Sequence, residues 1–228
     1  MATDLGKEEA ALINALVEHY RRNHGLFDRL GKALFELTQD NRIRPHIHSA
    51  LWRAKDPEHL RDKLTRKLVK TRASGGDFGI TEETLFERIN DLAGIRILHL
   101  HTNQFPAIDR SLREVLTAEG YNIVEGPEAR IWDLEYQAVF EGFGVKATPN
   151  PRMYTSVHYV VSAAGGRTRT AEIQVRTLAE ELWGEVDHQI NYPHASDSVP
   201  IQEQIRVLAR VVSSCTRLVD SIFKCRAG

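Results

Sequence analysis

The chain has 228 residues, of which 42% are hydrophobic and 27% charged, with 30 Lys and Arg against 31 Asp and Glu. Those values describe a globular protein long enough to bury a core without disulfides or a structural metal. A net charge of −1 argues against a dedicated nucleic-acid binder. No apolar run is long enough to span a bilayer, and the polar start lacks the basic-then-apolar pattern of a secretory signal, so a cytoplasmic protein with no membrane partner is expected.

Helical spacing opens the chain, first through Leu12, Ile13, Leu16, Val17 and Tyr20 and then through Leu26, Leu30, Leu34 and Leu37. Gly25 reads as a break between two helices, and Asp40-Asn41 as a stop. After a link containing Pro45, Asp56 is an N-cap with Pro57 at the first helical position. That helix carries Leu60, Leu64 and Leu68 on one face and ends before Ser74-Gly75-Gly76. A further helix is predicted from Thr81 to about Asn90, without a full capping box because Thr84 stands where Glu or Gln is needed. Ile95 to His101 is a strand with both faces covered. A helix from about Pro106 to Ala118 follows, closed by Gly120. Further strands are predicted over Trp132–Phe140, Thr155–Ser162 and Thr170–Arg176, the last two joined by a hairpin turn at Ala163-Ala164-Gly165-Gly166. Leu178–Ile190 is helical, and from Pro200 a long amphipathic helix carries Ile201, Ile205, Leu208, Val212, Cys215, Val219 and Ile222. On one helix Cys215 and Cys225 lie about 15 Å apart, too far for a bridge, so both are expected as thiols. Helices, a strand-rich middle and helices again predict an α+β fold, with a mixed sheet of about five strands flanked by helices.

Four segments carry residues suited to chemistry. Between Arg42 and Arg72 ten bases face three acids, a local excess of +7. Such a stretch suits a polyanionic ligand, and equally a solvated helix face. Within it Arg53, Lys55, Lys63 and Arg66 are the candidates, with no glycine-rich phosphate loop beside them. Asp91, just before a strand and followed by Gly94, can present a carboxylate at a sheet end; ending a helix or pairing with Arg96 is the bland alternative. In the strand around Glu172, that residue, Gln174 and Arg176 share one face while Ala171, Ile173 and Val175 share the other. A solvent-facing row would mean little, whereas a row lining a cleft would supply a metal ligand and a phosphate donor. Asp91 and Glu172 together would suit Mg²⁺, which takes one or two carboxylates plus substrate phosphates. Tyr154 at a strand mouth can stack on a base, with His158 near a sugar or phosphate. His46/His48 and His99/His101 lack a third ligand and read as structural.

In this order the segments resemble the synthetase domain of the RelA/SpoT family. Arg53-x-Lys55 with Lys63 resembles its donor-nucleotide segment, and Asp91-Leu92-Ala93-Gly94-Ile95-Arg96 its Asp-Leu-Ala-Gly-Ile-Arg motif. Tyr154-Thr155-Ser156-Val157-His158 is similar to Tyr-x-Ser-x-His, and Glu172 to Thr177 to Glu-Ile-Gln-Ile-Arg-Thr. The resemblance implies a nucleotidyltransferase-like synthetase domain over 46–193, with helical extensions over 1–45 and 194–228. It implies transfer of the β,γ-pyrophosphate of ATP to the 3′-hydroxyl of GDP or GTP, making (p)ppGpp-type alarmones. Asp91 and Glu172 would be catalytic and hold Mg²⁺. Arg53, Lys55, Lys63, Arg66, Arg96 and Arg176 would bind ATP phosphates or shape the site. Tyr154, His158, Gln174, Lys146 and Arg152 would meet the acceptor. The C-terminal helix would be an oligomer contact or pack on its own domain.

The stretch Gly144–Met153 departs from the family's guanosine pattern: Asn150 stands where a lysine is usual, and Arg152-Met153 replace Asn-Gly. Toxin-like branches of the family also lack that pattern, and they modify the 3′ end of tRNA or use adenosine nucleotides. A non-catalytic nucleotide-binding module is the third reading. No room is expected for the family's hydrolase or regulatory domains.

Overall fold

In the computed structural model, residues 5–163, 169–192 and 195–227 are described. Seven α-helices and six strands occur among them: α1 Lys7–Leu37, β1 Ser49–Ala54, α2 Pro57–Ala73, α3 Leu85–Arg88, β2 Ala93–His99, α4 Phe105–Ala118, β3 Tyr121–Ile131, α5 Tyr136–Gly142, β4 Lys146–Pro149, β5 Ser156–Ala163, β6 Thr170–Thr177, α6 Leu178–Asn191 and α7 Val199–Ala227. The strands form one sheet in the order β1-β2-β6-β5-β3-β4. The β2–β6 and β3–β4 pairs are parallel and the others antiparallel, so the sheet is mixed, as the element order implies.

Strand alternation divides the sheet into two unlike faces. On one, Ile95, Ile97, Ala129, Val157, Tyr159, Ile173 and Val175 join Leu16, Tyr20 and Phe27 of α1, Leu60 and Leu64 of α2, and Leu112 and Val115 of α4 in the main core. On the other, residues paired directly across the strands are Leu51, Arg96, Gln174, His158, Glu128 and Lys146. Directly opposed residues share a face, so this polar row is a consequence of register. A smaller apolar cluster of Trp183, Ile205, Ala209 and Val212 welds α6 to α7 and packs Met153 and Tyr154 beside it.

Local chemistry explains the ends that matter. Asp56 caps α2, its Oδ1 accepting from Glu58 N–H at 2.8 Å and His59 N–H at 3.2 Å. Gly126 adopts φ 88 in a bulge of β3, and a Cβ there would lie 2.3 Å from the His158 carbonyl oxygen, so only glycine fits.

Several sequence expectations are corrected. Gly25 does not divide the first helix, because Phe27 and Leu34 continue the buried stripe of Ile13, Leu16, Val17 and Tyr20 without a break. Trp132–Phe140 is not a strand: Tyr136 and Phe140, four residues apart, bury the same side of α5. The helix expected from Thr81 shrinks to Leu85–Arg88, because the backbone N–H of Thr81 turns back to Thr84 Oγ1 at 2.9 Å. The sheet gains β1, β3 and β4, which lack a clear period of two. The hairpin turn proposed at Ala163–Gly166 falls, beyond Ala163, outside the described residues. No helix among the described residues is long and apolar enough to cross a membrane. Cys215 and Cys225 are free thiols, as expected.

Candidate active site

The polar sheet face opens between α2 and α6 into two adjoining cavities. The smaller, about 350 Å³, is lined by residues including Arg53, Asp91, Arg96, Glu172 and Gln174. The larger, about 600 Å³, adds Arg66, Arg152, Tyr154 and Arg176, together with side chains of α6 and Arg206 of α7. Arg53, Arg96, Gln174 and Glu185 line both.

Asp91 and Glu172 therefore meet in one cleft, although 80 residues separate them in the chain. Parallel pairing of β2 with β6 places Gly94 beside Glu172, and Gly94 carries no side chain to fill the space between them. The Tyr20 hydroxyl, buried under α1, donates to the Lys55 carbonyl at 2.7 Å and approaches that of Leu92 at 3.4 Å. One phenol thus ties the end of β1 to the approach of β2. Lys55 Nζ then lies 3.0 Å from Asp91 Oδ2, and Lys63 Nζ 2.8 Å from Asp91 Oδ1. Burial would raise the pKa of Asp91, but the two ammonium groups outweigh it and hold the carboxyl below its usual range. Burial also lowers Lys55, against the pull of Asp91. Asp91 pairs with lysines, not with Arg96.

Glu172 is held from both sides. Its Oε1 lies 2.8 Å from His158 Nδ1, and its Oε2 accepts from Gln174 Nε2 at 2.8 Å. Burial pushes this carboxyl upward, while the histidine and amide contacts draw it below the ordinary value. The row Glu172, Gln174, Arg176 lines the cleft and is not a plain solvent face.

Two carboxylates the sequence reading overlooked organise the arginines. Arg96 Nη1 reaches Glu181 Oε1 and Glu185 Oε1, each at 2.6 Å, and Arg176 contacts the other Glu181 oxygen. Glu181 and Glu185 are four apart on α6, a spacing that puts both on one helix face and is the only trace they leave in sequence. Arg66 lies 5.7 Å above the Tyr192 ring, and Tyr154 stacks near Trp183 with centroids 6.3 Å apart. Met153 has φ 62, a left-handed backbone in the position where the family pattern carries glycine. Lys146 stands apart, at the far edge strand, with its side chain 80% exposed and Glu128 at 3.9 Å. The structure does not bring it into either cavity.

Among the described residues no cluster of three or more His, Cys, Asp or Glu forms a ready metal cage. The cleft instead fits a hard cation that takes part of its shell from a ligand. Asp91 Oδ1 is buried against the Lys63 ammonium at 2.8 Å, a contact that a cation could replace, and each Glu172 oxygen has one engaged contact and a lone pair to spare.

A family model described as a region found in RelA / SpoT proteins matches residues 52–197. GTP pyrophosphokinase YwaC of Bacillus subtilis (strain 168) is 28% identical over 162 residues, covering 69% of this chain and 65% of the relative. GTP pyrophosphokinase YjbM of the same organism is 27% identical over 146 residues, covering 61% and 59%. The chain thus spans somewhat less than two thirds of the length of either relative. Among solved structures, small alarmone synthetase 1 from Bacillus subtilis bound to AMPCPP superposes with a TM-score of 0.60 at 15% identity, over 92% of this chain and 100% of that one. At that identity the superposition shows a shared fold. With the matched region holding the end of β1, all of β2 to β6 and both Asp91 and Glu172, the chain belongs to the RelA/SpoT family.

Proposed function

We propose that this chain is a pyrophosphokinase that transfers the β,γ-pyrophosphate of ATP to the 3′-hydroxyl of GDP or GTP, using residues 46–193 as its synthetase domain. The observation that carries this reading is the meeting of Asp91 and Glu172 in one cleft walled by Arg53, Arg96, Lys55 and Lys63. Two curated relatives are named GTP pyrophosphokinases, which supports guanosine as the acceptor. Asp91 and Glu172 would hold Mg²⁺, which when bound offsets phosphate charge and polarises the phosphorus under attack.

The chain's own groups supply the rest. Arg53 and Arg96 flank the donor, and Lys55 and Lys63, released from Asp91 when a triphosphate competes for them, neutralise its oxygens. Tyr154 offers a stacking face to the acceptor base, with Arg152 beside it for the acceptor's phosphates. The acceptor 3′-oxygen forms a bond to the β-phosphorus and gives its proton to Glu172; the bond from the β-phosphorus to the α,β-bridging oxygen breaks and AMP leaves. Catalysis of this kind rests on alignment and charge stabilisation, which a rigid sheet face provides.

The test is incubation with γ-labelled ATP and, separately, GDP, GTP, ADP, ATP and tRNA. Label on GDP or GTP with AMP formed in equal amount is the expected result. Label on tRNA or an adenosine nucleotide alone would move the chain to the other acceptor classes, in keeping with its departures at Gly144–Met153. No transfer to any of them, or full turnover by a Glu172→Gln variant, overturns the reading.

A further inference from the structure

The sequence expectation put His158 among the groups that touch the acceptor, yet its ring is occupied elsewhere. His158 is 5% exposed, and its Nδ1 lies 2.8 Å from Glu172 Oε1. On the neighbouring strand Gln174, paired by register with His158, takes the second Glu172 oxygen at 2.8 Å. We infer that His158 is a positioning residue: it donates Nδ1–H to Glu172 and, with Gln174, fixes the plane of that carboxylate toward the acceptor hydroxyl.

The chemistry requires this direction of donation. Gln174 can only donate through Nε2, so Glu172 is the acceptor in that bond. The other oxygen of the same carboxylate, Oε1, likewise accepts, so Nδ1, 2.8 Å away, carries the proton. A carboxylate on a strand turns about its terminal bond with little resistance. Two donors, one on each oxygen and both on neighbouring sheet positions, remove that freedom. The strand that carries His158 is closely packed at this point, where Gly126 of the β3 bulge leaves no room for a Cβ beside the His158 carbonyl. Among the described residues the remaining ring nitrogen, Nε2, is buried without a partner, and the hydrogen bond the imidazole makes is the one to Glu172.

The inference rests on the proposed activity but is tested in part without it. In the intact wild-type protein, long-range ¹H–¹⁵N NMR of the imidazole should find the proton on Nδ1, and Glu172→Gln should shift that signal. A bare Nδ1 with the proton on Nε2 overturns the inference whether or not the protein transfers pyrophosphate. In the transfer assay, His158→Leu should lower kcat about 10- to 100-fold, the loss that misplacing a reacting group brings. The GTP dissociation constant from calorimetry should stay within about twofold, because the residue does not touch the acceptor. His158→Asn, whose amide nitrogen falls where Nδ1 does, should recover most of kcat. Unchanged kcat in His158→Leu, or GTP affinity falling as far as kcat, would falsify the positioning role. A wild-type protein inactive toward every acceptor defeats the functional reading instead, and leaves the NMR result to decide the Nδ1 bond.

Discussion

Arg176 lies directly over Gly184: a Cβ built on that glycine would stand 2.7 Å from Arg176 Nη1 and 3.3 Å from its central carbon. The guanidinium is nearly buried, and burial together with the charge of Arg96 lowers its pKa even with Glu181 opposing. A strand residue can reach under α6 because the helix has no side chain at that turn.

Gly184→Ala should therefore displace Arg176 and loosen its contact with Glu181. The expected cost is about 1–3 kcal/mol of stability, the usual penalty of overpacking, with a tenfold or larger fall in transfer. Urea denaturation and initial rates check it. Gly142→Ala is the control, since an added Cβ there meets open space: it should leave transfer unchanged and, being helical, gain up to about 1 kcal/mol.

Asp91→Asn should leave Lys55 and Lys63 facing each other without their shared carboxylate. Lys55 is mostly buried, so stability should fall by about 1–3 kcal/mol, while the proposed transfer should fall at least 100-fold. Thermal melts beside single-turnover assays separate the two effects. A variant that turns over normally would exclude Asp91 from the chemistry.

A pH dependence follows from Glu180, which is 4% exposed and accepts the Thr155 N–H at 3.0 Å. Burial pushes its carboxyl up to about 7. For an acid raised on folding, the folded state holds the proton more tightly than the unfolded chain. No penalty exists below the ordinary pKa; it grows as pH rises from there to about 7 and is complete above. By linkage the protein should lose about 3 kcal/mol from this group between pH 4.5 and pH 8. Glu180→Gln keeps an oxygen for Thr155 and removes the charge. Its melting temperature should exceed that of wild type by several degrees at pH 8 and by little at pH 5. Equal shifts at both pH values would discount the burial effect.

Tyr154 beside the larger cavity and Lys146 at the sheet edge should behave differently toward the acceptor. Tyr154→Ala should raise the KM for GTP about 10- to 100-fold, the worth of one stacking contact. Lys146→Ala, at the exposed edge of β4, should leave that KM within about twofold. Steady-state kinetics over a GTP series distinguish them, and equal effects would mean that the acceptor reaches across the whole sheet.

Much of the site could be read in the chain because it rests on short-range rules. Alternation along β6 put Glu172, Gln174 and Arg176 on one side, and the Asp56-Pro57 cap began α2 where Lys63 and Arg66 would project together. The family motifs added the order of these pieces. Elements without a periodic signature stayed hidden: β3 carries a bulge that interrupts its alternation, and β1 and β4 are short edge strands with mixed burial. Trp132–Phe140 was misread because a few aromatic and aliphatic residues satisfy both periods until a core selects one.

Sequence by itself determined which side chains were available and which neighbours shared a face, since backbone geometry enforces that over a few residues. Only the tertiary structure decided who meets whom across the cleft. Asp91 found two lysines in place of Arg96, Arg96 found Glu181 and Glu185, and His158 found Glu172. Those partnerships depend on strand order and on where α6 lies over the sheet. Both are set by long-range packing in which the burial of a charge must be matched by an opposite one, whatever its distance along the chain.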